Sequence, residues 1–282
     1  MAQHPALTPG RGAVITGAAS GIGLAAAERL ARLGMRVCMV DIDAAALDAA
    51  RTQVARHAAA DSDILAVPAD VSRVEEVEQV RTRVDDAFGD LAFLMNNAGT
   101  EGGGELFGDP RRFRQILEVN LWGVVNGIQT FAPAMAQAGR PAAIVSTGSK
   151  QGITTPPGDT AYNVSKAGVK VVTEALAHEL RNRPGCAVTA HLLIPGFTFT
   201  GFTRARGVAE RPPGAWTADQ VIDFLLAGMA AGDFYILCPD NDVSRDLDER
   251  RIRWAAEDIV QNRPPLSRWH PDFKEAFARS LE

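Results

Sequence analysis

Tyr162 and Lys166 stand four residues apart in the run Tyr162-Asn163-Val164-Ser165-Lys166, a spacing that puts two side chains on one face of a helix. With only 2 tyrosines in the chain, and Lys150, Lys166, Lys170 and Lys274 its only lysines, such a pair arises by chance about 0.03 times in this length. A free phenol loses its proton near pH 10, and bringing that to about 7 takes roughly 4 kcal/mol of preferential stabilisation of the phenolate. One cation at about 4 Å supplies that order at an effective dielectric near 20. Tyr162 beside Lys166 is therefore a candidate proton donor and acceptor near neutral pH. The same pair facing water is an ordinary surface contact, so the chemistry depends on where the helix sits.

A second constellation, Thr16-Gly17-Ala18-Ala19-Ser20-Gly21-Ile22-Gly23, suits a phosphate. Glycines let backbone N–H groups approach a pyrophosphate, and a helix starting there directs its positive end at the same group. In a chain with 26 glycines the bare G-x-x-x-G-x-G spacing arises by chance about 0.2 times. Its weight comes from its place between a strand pattern and a helix pattern, which makes Gly17, Ser20, Gly21, Ile22 and Gly23 candidate dinucleotide contacts. Asp41, followed by Ile42, comes about 20 residues later, where a carboxylate accepts hydrogen bonds from adenosine ribose hydroxyls. A 2′-phosphate there would meet like charge, so the expected cofactor is NAD rather than NADP. The alternative is that Asp41 caps the next helix, a role also open to Asp43.

These groups need elements to hold them. Strand-type runs at Ala13–Thr16, Arg36–Asp41, Ile64–Pro68, Leu91–Asn96, Ala142–Thr147, Val188–Pro195 and Phe234–Cys238 alternate with helical patterns, the signature of βαβ units and a parallel sheet. Ile22, Ala26, Leu30 and Leu33 repeat at helical spacing and stop at Gly34, a natural helix end. Ser72-Arg73-Val74-Glu75 and Thr217-Ala218-Asp219-Gln220 have the form of capping boxes, and Val74, Val77, Val80 and Val84 would face the sheet. Right-handed crossovers then give an α/β fold: a doubly wound parallel sheet (Rossmann fold) with helices on both faces. The expected organisation is one catalytic domain over residues 1–239 and a helical extension over 240–282, an arm packed on the domain or on a neighbouring subunit, with a substrate lid as the alternative.

Composition bounds the partners. The 282 residues are 46% hydrophobic and carry a net charge of −5, enough for a large core and unsuited to nucleic acid or an anionic membrane surface. Cys38, Cys186 and Cys238 are far apart, with no zinc-ligand spacing, and are expected as buried thiols in a reducing compartment. The first residues lack the order of a signal peptide, and no apolar run approaches the roughly 20 residues that span a bilayer. A soluble cytoplasmic protein acting on a small molecule is the expectation.

Together with further matches, these residues make the chain resemble the short-chain dehydrogenase/reductase family over roughly Arg11–Thr200, and more loosely to Pro239. The matches are Asn96-Asn97-Ala98-Gly99 after the fourth strand, Asp70-Val71 after the third, Asn120 within Val119-Asn120-Leu121, and Pro195-Gly196 ending the sixth. The resemblance implies that Tyr162 is the general acid/base, that Lys166 lowers its pKa and holds the nicotinamide ribose, and that Asn120 anchors a water in the proton relay. Ser149, 13 residues before Tyr162, falls where the family has its carbonyl-orienting serine; Ser146 is the rival at a different offset. The resemblance also implies that Asp70 and Val71 border the adenine. Asn97, Ala98 and Gly99 would approach the adenosine ribose, and Pro195, Gly196, Thr198 and Thr200 would flank the nicotinamide, with no metal needed.

The implied reaction is NAD-dependent hydride transfer between a secondary alcohol and a ketone. Thr100–Phe107, Gln151–Asp159 and Phe197–Trp216 should contact the substrate. Their Phe107, Phe197, Phe199, Phe202 and Trp216 suggest a bulky hydrophobic or aromatic one, with Glu101, Gln151 and Arg204 as possible polar selectors. Val119 to Gly152 is similar to a branch that includes dehydrogenases of lignin-derived aryl ethers. The charged ending replaces the family's glycine-rich one, so the tetramer contacts expected there are in doubt. A homo-oligomer, as a dimer through the helices bearing Asn120 and Tyr162 or as a tetramer, remains the expectation. The competing functions are a non-catalytic dinucleotide sensor on the same fold and a nicotinamide-assisted epimerase or dehydratase.

Overall fold

Strands that are apolar on both sides need helices on both faces, and the strand runs meet that condition. The strands are β1 (Gly12–Thr16), β2 (Arg36–Asp41), β3 (Ile64–Pro68), β4 (Leu91–Asn96), β5 (Ala142–Thr147), β6 (Val188–Ile194), β7 (Thr198–Phe199), β8 (Trp216–Thr217) and β9 (Tyr235–Leu237). In the computed structural model, which describes residues 3–201 and 210–281, seven of them form one sheet in the order β3-β2-β1-β4-β5-β6-β9. Every pairing in it is parallel. The order reverses direction between β1 and β4, which opens a crevice at the carboxyl ends of those strands. The short parallel ladder of β7 and β8 was not expected from the sequence.

The period of two along each strand divides the core. Ala13, Ile15, Val37, Met39, Phe93 and Met95 face one side, while Val14, Cys38, Val40 and Leu94 face the other. The first layer is covered by α1 (Gly21–Arg32), α2 (Ala44–Ala55) and Val221, Ile222, Leu225 and Met229 of α8 (Ala218–Ala231). The second is covered by α3 (Val74–Phe88), α5 (Gly123–Gln137) and α7 (Thr160–Asn182). Upstream of α5, α4 (Pro110–Leu117) runs into a π-helical turn over Glu118–Trp122.

One of the two expected capping boxes forms. Thr217 accepts from Gln220 N at 3.2 Å, and Gln220 Oε1 accepts from Thr217 N at 2.9 Å. At α3 the box is absent: Arg73 is the N-cap, without a side-chain bond. The Ser72 hydroxyl donates to Asp70 Oδ1 at 2.7 Å instead, and Glu76 reaches back to Asp70 N at 2.8 Å. The helix starts one residue later than the box requires, so Ser72 lies outside the cap position and its hydroxyl serves the turn at Asp70. Val74 is accordingly 39% exposed, while Val77, Val80 and Val84 are buried as expected.

After β9, α9 (Arg245–Val260) lays Ile252 against a cluster of Val124, Val169, Leu192, Ile194 and Leu237. Trp254, also on α9, is buried and donates to Ser267 Oγ at 2.8 Å, and α10 (Lys274–Arg279) ends the arm. Burial pushes the Cys38 and Cys238 thiols up to about 12.

At the amino end, His4 packs edge-on against His191 with ring centroids 5.5 Å apart. The Thr189 hydroxyl lies 3.2 Å from His4 Nε2 and 2.8 Å from His191 Nε2. Burial lowers His4 to about 4, with His191 adding to the shift, and burial also lowers His191. Both rings are neutral in the fold and gain protons on unfolding below about pH 6.5, so their contribution is complete above that pH and is lost as pH falls towards 4. His4→Gln should therefore flatten the fall of the thermal midpoint between pH 6.5 and 4; a fall as steep as in the parent chain would show that this pair is not the acid-sensitive contact.

Candidate active site

The carboxyl ends of β1, β4 and β5 are tied by one run of side-chain hydrogen bonds. Thr16 Oγ1 accepts from Asn97 N at 2.9 Å and from Ala98 N at 3.0 Å. Asn97 Nδ2 donates to Thr16 O at 3.1 Å, and the Thr147 hydroxyl donates to Asn97 Oδ1 at 3.2 Å. Lys166 Nζ then donates to Thr147 O at 2.8 Å. The glycine loop and the lysine, far apart in sequence, thereby share one frame.

The loop has the shape a diphosphate needs. Gly17 has φ +67°, and a Cβ there would lie 2.8 Å from Ala98 Cα. At Gly23 a Cβ would overlap the Gly17 carbonyl oxygen. Ser20 is the N-cap of α1 and makes no side-chain cap bond, which leaves first-turn N–H groups of a 12-residue helix for an anion. Ile22 is half-buried against the core, and Thr200 sits over Gly21, 3.1 Å from where a Cβ would be. Asp41 faces the loop: Oδ2 accepts from Ala19 N at 3.1 Å and Oδ1 from Asp43 N at 3.2 Å. Asp43, not Asp41, caps α2, accepting from Ala45 N and Ala46 N. Ile42 is 70% exposed beside them. A glycine cradle, an open helix end and a carboxylate at the next strand end fit a nicotinamide dinucleotide.

The remaining predicted cofactor contacts divide between crevice and scaffold. Asp70 holds Ser72, and Val71 is buried against Gly123 with its carbonyl taken by Asn126 Nδ2 at 2.9 Å. Pro195 and Gly196 lie half-buried at the end of β6, and the Thr198 hydroxyl donates to Gly196 O at 3.2 Å. Asn97 is committed to the strand-end frame through its side chain, so only its backbone neighbourhood, with Ala98 and Gly99, faces the crevice.

Lys166 is 5% exposed. Its desolvated ammonium is lowered to about 8, a shift that the charge of Glu101 opposes, so it stays charged at neutral pH. Nζ lies 5.7 Å from the Tyr162 ring centroid, and a Cβ at Gly99 would be 3.8 Å from Nζ and 3.3 Å from Asn120 Oδ1. Asn120, fully buried in the π turn, clasps Thr100: Oδ1 accepts from Thr100 N at 2.7 Å and Nδ2 donates to Thr100 O at 2.8 Å. Nδ2 also lies 3.1 Å from Ser165 Oγ. The two serine candidates separate cleanly. Ser146 is fully buried on β5 opposite Asn96, whereas Ser149 is half-buried just past the strand end, its Oγ accepting from Gln151 N at 3.2 Å. The short helix α6 (Gln151–Thr154) packs onto the turn of α7 that carries Lys166, where a Cβ at Gly152 would meet the Lys166 carbonyl carbon at 2.5 Å.

Several positioning residues were not foreseen. Thr16 and Thr147 build the frame; Asp159 caps α7 through Tyr162 N at 3.1 Å and holds Gly102 N at 2.5 Å. Arg112 holds Thr100 Oγ1 at 2.9 Å and Gly102 O at 2.8 Å. Asp159 was legible as an N-cap ahead of an apolar periodic run; the others have no local signature. Of the expected substrate contacts, Phe107 is fully exposed, Phe197 is 44% exposed, and Trp216 packs edge-on against Phe224 at 5.8 Å. Phe202 and Arg204 lie outside the described residues.

Comparison with known proteins agrees with this geometry. A family model for short chain dehydrogenases matches residues 11–210. The chain is 33% identical over 266 residues to the 1-deoxy-11-beta-hydroxypentalenate dehydrogenase of Streptomyces exfoliatus, covering 92% of this chain and 94% of that protein. Its fold is similar to a short chain dehydrogenase/reductase from Burkholderia phymatum in complex with NAD, with TM-score 0.81, 34% identity, and 91% and 96% of the two chains covered. A metagenomic short-chain oxidoreductase in complex with NADP is also similar, with TM-score 0.67, 26% identity, and 82% and 98% covered.

Asp159→Ala removes the cap of the helix that carries Tyr162 and frees the loop beginning at Thr100. It should cost about 1 kcal/mol of stability and speed amide exchange at residues 100–104; unchanged exchange there would show that Asp159 does not hold the loop.

Proposed function

The chain belongs to the short-chain dehydrogenase family, and on that premise we propose that it is an NAD-dependent oxidoreductase interconverting a secondary alcohol and a ketone on a bulky hydrophobic or aromatic substrate. The observation that carries this is buried Lys166, whose Nζ lies 5.7 Å from the Tyr162 ring centroid and is bonded to Thr147 O in the frame that also holds the glycine loop, with Ser149 just past the same strand end. When bound, the nicotinamide ring supplies the acceptor or donor of hydride. Tyr162 takes the hydroxyl proton in the oxidative direction and returns it in reduction. Lys166 favours the phenolate through a charge that water does not screen. Ser149 hydrogen-bonds the oxygen that becomes the carbonyl. Asn120 fixes the crevice wall, and the π turn takes backbone carbonyls out of the helical ladder, which is where we place the relay water.

Asp41 supports NAD over NADP. It and Asp43 form a negative corner for which no cationic partner is found among the described residues, so a 2′-phosphate would be repelled, while Ile42 offers apolar surface for an adenine. Gly17, Ser20, Gly21 and Gly23 would take the pyrophosphate. The exposure of Leu106, Phe107 and Phe197 supports a hydrophobic substrate, as does the relative that oxidises a hydroxypentalenate. Trp122, Val164 and Val171, exposed by 50%, 45% and 61%, support a homodimer through the π turn and α7. No helix among the described residues is long and apolar enough to cross a membrane, and the three free thiols suit the cytoplasm.

Two variants test the assignment. Tyr162→Phe should abolish NADH formation at 340 nm with hydrophobic and aryl secondary alcohols while leaving NAD affinity within about twofold; retained turnover would move the acid/base role elsewhere. Asp41→Ala should weaken NAD binding about tenfold through loss of charged hydrogen bonds and raise the relative preference for NADP. An unchanged NAD to NADP ratio would sink the cofactor assignment.

A further inference from the structure

Lys150 follows Ser149 directly, and neither proton transfer nor dinucleotide binding uses it. Its ammonium lies 2.6 Å from Asp248 Oδ2 on α9 and 3.3 Å from Asp240 Oδ2. The three side chains are 18%, 5% and 4% exposed, so this is a buried ion cluster between the catalytic domain and the arm. Asp240 has further duties: Oδ2 accepts from Phe197 N at 3.1 Å, and Oδ1 accepts from Val243 N at 2.8 Å. A Cβ at Gly196 would lie 2.6 Å from Asp240 Oδ2 and 2.8 Å from Lys150 Nζ. The cluster is thus wedged beneath Pro195-Gly196-Phe197 while its lysine belongs to the turn that carries Ser149. Ile252 of the arm adds an apolar contact near Ile153.

The charges explain why the cluster fixes geometry. Burial pushes the Asp248 carboxyl up and Lys150 pulls it down. Arg251 and Arg268 border the same cavity of about 50 Å³, so the surplus carboxylate is offset without a second direct pair. Buried ion pairs add little net stability over apolar groups of the same volume, but removing one partner strands the others. Such a cluster tolerates only a narrow range of relative positions for the segments that contribute to it.

We propose that Lys150 is a positioning residue: through Asp240 and Asp248 it locks the Ser149 turn to the Gly196–Phe197 turn, making the C-terminal arm part of the catalytic scaffold. This rests on the roles given above to Ser149 and to the segment after Pro195. A displacement of about 1 Å at a reacting group costs on the order of a hundredfold in rate, so a lock outside the substrate site controls turnover.

The test uses the full chain with Lys150→Met, Lys150→Arg, and a triple variant, Lys150→Met with Asp240→Asn and Asp248→Asn. Lys150→Met should lower kcat at least about tenfold with NAD affinity within about twofold, and should speed amide exchange at residues 148–153 and 195–199 alone. Lys150→Arg should restore most of kcat. The triple variant should regain thermal stability without regaining kcat, because no carboxylate is left buried without its lysine but the lock is gone; it carries the same comparison if Lys150→Met does not fold. Recovery of kcat in step with stability, or exchange in the two segments matching the parent chain, would overturn the proposal. If the parent chain turned over no alcohol, the proposed reaction would fail, while the exchange measurement would still decide the lock.

Discussion

The strand-end frame of Thr16, Asn97, Thr147 and Lys166 is the constraint on which the site depends. Parallel strands end at one edge of the sheet, and although the ladder sets their register, it does not hold the segments that leave those ends. Here Thr16 collects two N–H groups from the end of β4, Asn97 reaches back to the Thr16 carbonyl, and Thr147 ties β5 to Asn97. Lys166 closes the run on the Thr147 carbonyl. The glycine loop and the Lys166 ammonium are thereby registered to a common set of atoms. In a buried polar run of this kind each partner leaves another unsatisfied if it is removed.

Electrostatics then divides the crevice into two ends. At the end near β2, Asp41 and Asp43 concentrate negative charge near α1, whose positive end faces the loop. At the other end, desolvation of Lys166 lowers its pKa to about 8. That sets an upper limit on the pH range in which it carries its charge beside Tyr162. The same burial that makes the ammonium costly to hold is what makes its field strong at Tyr162. Glu101, in the loop clasped by Asn120 and Arg112, moderates that cost.

The arm shows how a departure from the family pattern is absorbed. A charged ending replaces a glycine-rich one, yet it is not a loose appendage: Ile252 enters an apolar cluster with residues of β6, α5 and α7, and Asp240 and Asp248 converge on Lys150. Its charged residues divide by surroundings. Those on the outer side of α9 pair with one another at helical spacing, as Arg245 with Glu249 and Arg250 with Asp246, whereas the inward Asp248 meets Lys150.

The strands and the chemistry were legible in the sequence because both are local. A period of two, a glycine spacing and an i,i+4 pair survive in one dimension, so the seven sheet strands, Tyr162 with Lys166, the glycine loop and Asp41 all stood out. The capping box at Thr217 was legible for the same reason, and the one at Ser72 failed because the helix starts one residue later, with Arg73 at the cap position and Ser72 engaged by Asp70. What the tertiary structure alone decided was every contact between distant segments: the clasp of Asn120 on Thr100, the burial of Ser146 beside Asn96, and the strand-end frame. The role of Lys150 belongs to the same class, since its partners Asp240 and Asp248 lie 90 residues and more further on. Local pattern is set by backbone geometry and repeats within a few residues; burial and long-range pairing come into being only when the strand order is fixed, and no spacing in the chain encodes that order.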